Sequence, residues 1–162
     1  MKTVTVEQFL SFHPCYSPAR IHGFAIRHGR TEWSALNILR LSHVPAKDRL
    51  WAVLREELID APILHEFACR CAEQALKLIV NPDPRSVAAI SAKRAWVQGE
   101  ISNVELDAAV DAAWDAARDA AWDAAWDAAV AAAGAAAMAT AGAAAGAAQV
   151  KMLIGMLEES EC

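Results

Sequence analysis

Apolar positions recur along most of this chain at three- and four-residue spacing, the period of helices that pack by one face. Thr5 is placed to cap a short helix over Val6–Phe12. Residues 13–30 break the pattern with Pro18, Gly23 and Gly29 and read as an irregular surface segment. Thr31 then caps a helix carrying Trp33, Leu36, Leu39 and Arg40, and Pro45 opens another, because proline fits a first helical turn. The stripe of that second helix is Leu50, Val53, Leu54 and Leu58, with Trp51 on its flank. Asp60 caps the next, whose stripe of Leu64, Phe67, Ala68, Cys71, Ala75, Leu78 and Ile79 is the cleanest amphipathic pattern in the chain. Asn81-Pro82-Asp83-Pro84 stops it, and Asp83 with Pro84 supplies the cap and first position of a further helix that Gly99 ends. Ser102-Asn103-Val104-Glu105 is a capping box that starts the last segment. No stretch fits a strand better than a helix. The expectation is an all-α fold, one domain built as a bundle or stack of about five to six helices. Residues 1–100 would supply the main core and residues 101–162 an alanine-rich helix or helical hairpin.

That last segment is periodic in four. From Asp107 it reads Asp-Ala-Ala-x, with Asp at 107, 111, 115, 119, 123 and 127. The fourth place holds Val110, Trp114, Arg118, Trp122, Trp126 and Val130, then Gly134, Met138, Gly142 and Gly146. Two or three alanines per turn make helix the strong expectation. Four residues overshoot one turn, so each repeat advances about 40° around the axis, and the Trp and Asp rows wind as two separate stripes. Three arrangements accommodate that drift: oblique packing against the other helices, a break near Gly134 or Gly142, or pairing with a second copy through the small residues. An intramolecular stack is the first expectation and a homodimer through the Ala/Gly-rich helix the second. Successive aspartates at i,i+4 repel one another, so the row either keeps an apolar helix soluble or meets a basic partner.

Charge sharpens the contrast between the halves. Residues 1–99 carry 13 Lys/Arg against 9 Asp/Glu, whereas residues 100–162 carry 2 against 11. The halves either attract each other or the acidic one imitates a nucleic acid or docks a basic partner. The four cysteines, Cys15, Cys69, Cys71 and Cys162, have no disulfide-framework spacing. Met1-Lys2-Thr3-Val4 does not open an apolar signal core, and a reducing cytoplasm is the expected location. Residues 128–150 lack charge over a length that would span a bilayer. They are nearly all Ala and Gly with Thr140 and Gln149 inside, side chains that gain little from lipid, so no membrane is expected.

Recognisable catalytic chemistry is missing. No glycine-rich phosphate loop or nucleophile elbow occurs, no carboxylate pair is placed around a substrate, and no cofactor motif is present. Cys69 and Cys71 point about 200° apart on a helix. His65 and Cys69 share a face, but without a second ligand pair they read as a packed cysteine beside a satisfied histidine. The expectation is a non-enzymatic protein with no metal and no cofactor. Arg20, Arg27 and Arg30, with Phe12, Tyr16 and Phe24 nearby, form a thin basic patch that is the one candidate for touching phosphate.

Several segments resemble a family of small helical immunity proteins that also occurs in phage and prophage genomes. They are residues 45–55 (Pro45 to Arg55), 67–73 (Phe67 to Glu73), 81–86 (Asn81 to Ser86) and Gly99-Glu100, followed by the alanine-rich tail with its Trp and Asp. The similarity runs over roughly residues 40–160 and leaves the first 40 outside. It implies a protein that binds and neutralises another protein, a toxin or, in a phage setting, a bacterial defence complex, as anti-CRISPR and antirestriction proteins do. The expected contact surface is Asp111, Trp114, Asp115, Asp119, Trp122, Asp123 and Trp126, acting by steric occlusion. Two alternatives stand beside it: a nucleic-acid-binding or nucleic-acid-mimicking protein, and a self-assembling structural helix.

Overall fold

The computed structural model describes the backbone of residues 2–128 and 135–160, and the side chains of 2–118 and 145–160. The fold is all-α: eight helices among the described residues, with one two-stranded ribbon. The chain divides into two compact units, Met1–Leu64 with Ala143–Cys162, and His65–Gly142.

In the first unit, β1 (Thr3–Thr5) pairs antiparallel with β2 (Glu32–Ser34), Val4 opposite Trp33. No strand was expected from the sequence. Three residues are too few to show a period, and their partner lies about thirty positions away, so the pairing is invisible locally. Thr5 ends β1 and caps α1 (Val6–Ser11) in a reciprocal box with Gln8. The segment expected to be an irregular loop contains α2 (Pro18–His28). Ser17 precedes it, Pro18 occupies its first turn, and Gly29 closes it in the left-handed conformation at φ 61°. It lacks a continuous apolar stripe and only Ala25 is buried, which is why its periodicity did not register.

The expected Thr31 cap is also corrected. Trp33 belongs to β2, and Ser34 caps α3 (Ala35–Leu39) through a box with Asn37. α4 (Ala46–Val53) starts after Pro45 as expected but stops at Val53. Leu54 is exposed, while Leu58, placed on the same stripe by the sequence, is buried from a following turn together with Ile59. The core of this unit also takes in Val150, Leu153, Met156 and Leu157 from α8 (Ala135–Glu159), spaced at helical intervals. Gly146 lies on the same helix, where a Cβ would sit 3.5 Å from Ala46 of α4.

The second unit holds the described residues of α5 (Ala61–Leu76) from His65 onward, together with α6 (Pro84–Val97) and α7 (Asn103–Ala128). The α5 stripe departs from expectation. Phe67 and Cys69 are buried, but Ala68 and Ala75 are exposed, and Leu78 and Ile79 lie beyond the end of the helix in an exposed run with Val80. The physical anchor of α5 is ionic: Arg94 of α6 reaches back to Glu66 at 2.9 Å and to Glu73. Asp83 caps α6 by accepting from the Arg85 amide, with Pro84 at the first position, as the sequence indicated. Gly99 at φ 74° and the Ser102–Glu105 box then turn the chain into α7, which packs along α6. Of the two expected break points, Gly134 lies outside the described residues, whereas α8 runs through Gly142 without a break, because the alanines on either side keep the helix going.

Candidate functional site

Two features stand out: an exposed acidic face on α7 and a cavity in the first unit. α7 sorts its side chains cleanly. With about 100° between successive residues, Val104, Asp107, Val110, Asp111, Trp114 and Arg118 fall within about 60° of Asp107. All six are exposed. Opposite them Leu106, Ala109, Ala112, Ala113 and Ala116 are covered to differing degrees, Ala116 almost completely at 3%. Alanine lets α6 approach closely and leaves the larger side chains outside. Trp114 is 65% exposed between turns that carry aspartate. Asp115 borders this face and accepts from Arg118 at 3.1 Å.

Of the residues expected to form a contact surface, Asp111, Trp114 and Asp115 are thus brought to one side of one helix. Asp119, Trp122, Asp123 and Trp126 lie on the same helix, and their side chains are outside the described residues. The face has one isolated indole and a net negative charge, the composition of a surface that would meet a basic patch.

The expected phosphate-touching arginines behave differently from one another. Arg20 and Arg27 sit seven residues apart on α2 and both line a cavity of about 790 Å³. Arg30 lies past the helix end and is not part of it. Between them Gly23 and Phe24 occupy the same face, an i, i+3, i+4, i+7 set. α4 adds Lys47, Asp48 and Arg49 to the lining. Sequence reasoning missed these α4 residues; reading residues 18–28 as helix would have exposed the Arg20–Arg27 face. Tyr16 donates its hydroxyl to Asp48, and the Arg20 guanidinium lies 4.7 Å from the Tyr16 ring centre. That hydrogen bond to Asp48 holds the phenol above its ordinary pKa. Phe24 packs on Trp33 at 5.6 Å and on His43 at 5.4 Å.

Further polar groups gather between α5 and α6. His65 meets Trp96 edge-on at 5.5 Å, and burial pushes the Cys69 thiol up. A crevice of about 80 Å³ beside them has room for water only. Among the described residues no group of three or more His, Cys, Asp or Glu is arranged to hold a metal ion. Among them, too, no helix is long and apolar enough to cross a membrane. Compared with family models, curated proteins and solved structures, the chain matches none.

Proposed function

We propose that this protein is a non-enzymatic, protein-binding inhibitor, immunity-like or counter-defence in role, that occludes a basic surface of its target with the acidic face of α7. The observation that carries the reading is Trp114. An indole left 65% exposed on a helix whose other side is covered at Ala116 suits a use outside the fold. Asp107 and Asp111 flank it and remain exposed. A partner with lysine or arginine around an indole-sized pocket satisfies both features: steering by charge and anchoring by the ring.

A photo-crosslinking amino acid at position 114, used in the cell from which the chain comes, tests this. The expected result is one dominant adduct whose purified target binds the wild-type protein with strong salt dependence. Asp111→Lys with Asp115→Lys is then expected to weaken that complex at least tenfold at low salt. Absence of any adduct at 114, or a complex unchanged by the double reversal, would reject the assignment.

A further inference from the structure

Gly23 is hard to explain from the protein alone. It sits mid-helix in α2, where glycine weakens a helix relative to alanine. A Cβ built there meets nothing within 4 Å, so no neighbour demands its absence. What lies beside it is the cavity.

We infer that this cavity is a binding site for a small organic anion, an aromatic or apolar body bearing one carboxylate or phosphate group. Its volume, about 790 Å³, falls within the roughly 300–1,000 Å³ of small-molecule sites. The floor is apolar: Val6, Ala25, Trp33, Ile38 and Ala52 line it and are buried. Phe9, Tyr16, Phe24 and Trp51 add aromatic surface around them, which favours a ring-bearing body. The mouth is cationic. Arg20, Arg27 and Lys47, all exposed, line it, Arg49 is a part-buried fourth cation of the lining, and the single carboxylate is Asp48, which already accepts from Tyr16. Among the described residues none of the four cations is in an ion pair. Arg49 is held in place by donating to the Leu39 carbonyl. An anionic head between α2 and α4 would neutralise this cluster while its body covers the apolar floor and the bare backbone at Gly23. The site is made entirely of residues 6–52 and is independent of the α7 face.

Calorimetric titration of the full chain with 1-naphthoate, 1-naphthyl phosphate and the neutral 1-naphthamide tests the inference. At least one anion is expected to bind at one per chain and at least tenfold more tightly than the amide; which anion is preferred identifies the head group. Arg20→Gln with Arg27→Gln, at exposed positions outside the core, is expected to reduce that preference, with Lys47 and Arg49 retaining the remainder. Gly23→Leu, which projects an isobutyl group into the cavity between Arg20 and Arg27, is expected to weaken binding at least tenfold without lowering the melting temperature. No binding by either anion, an amide that binds as well as both, or undiminished affinity in Gly23→Leu with a native circular dichroism spectrum each overturns the proposal.

Discussion

The Tyr16 hydroxyl donates to the Asp48 carboxylate, joining the segment before α2 to the first turn of α4 across 32 positions of chain. The bond is partly buried, and a hydrogen bond to a charged group contributes about 1.5–3 kcal/mol. Tyr16→Phe is therefore expected to lower stability toward the low end of that range, read by urea denaturation. The phenol is held above its ordinary pKa. A raised folded value contributes stability that is complete below the unfolded value, about 10, and is lost as pH rises through the folded one. The wild-type advantage over Tyr16→Phe is expected to be flat at neutral pH and to disappear in strong alkali.

The α5–α6 ionic cluster has the opposite sign. Hydrogen bonds from Arg94 hold the Glu66 and Glu73 carboxyls below the usual glutamate range, with Arg70 adding to Glu66 at 3.0 Å. The stabilisation is present above the unfolded value near 4.3 and fades as pH falls through the depressed folded values. These groups are partly exposed, so solvent screening keeps the contribution near 1 kcal/mol. Glu66→Gln is expected to destabilise the protein at pH 7 by about that amount, a difference that shrinks as pH falls from neutral into the acid range. Thermal melts across that range check it.

The two sides of α7 are expected to respond in opposite ways to substitution. Trp114→Ala removes an exposed ring and is expected to change stability by less than about 0.5 kcal/mol. Ala116→Leu inserts three carbons where the helix meets its neighbour and is expected to cost about 1–3 kcal/mol. Equal effects in denaturant titrations would mean that the helix is rotated from the arrangement described.

Thiol chemistry distinguishes three cysteines. Cys15 is exposed, whereas burial covers Cys69 and pushes both its thiol and that of Cys71 up. The thiolate is the reactive form, so alkylation at pH 7.5 followed by peptide mass spectrometry is expected to label Cys15 first and Cys69 last.

What the sequence disclosed follows from how far its signals reach. The caps at Thr5, Asp83 and Ser102 were legible because a cap is an exchange between residues two or three apart. The helical character of α7 was legible from alanine alone. The Val4–Trp33 pairing was not, since a strand of three residues has no period and its partner is remote. α2 was hidden because Gly23 and its histidines and arginines interrupt any apolar stripe. With it went the face shared by Arg20 and Arg27, and hence the cavity. Leu58 illustrates a subtler failure: its burial was foreseen, but it arrives from a turn after α4 has ended.

The membership of the first unit has a consequence for biosynthesis. Its core needs Leu153, fully buried in α8, alongside Leu39 and Val53 from the N-terminal side. Residues 65–142, by contrast, are contiguous. Domains generally fold as units during translation, earlier ones first, but here the order is inverted. Residues 1–64 must wait for residues 143–162, while the intervening unit is contiguous and can fold before them. A chain truncated after residue 142 would display an assembled second unit and a first unit lacking Val150, Leu153, Met156 and Leu157. Pulse proteolysis of that truncated chain should cleave residues 1–64 ahead of residues 65–128, the N-terminal segment being left open until residues 143–160 are supplied.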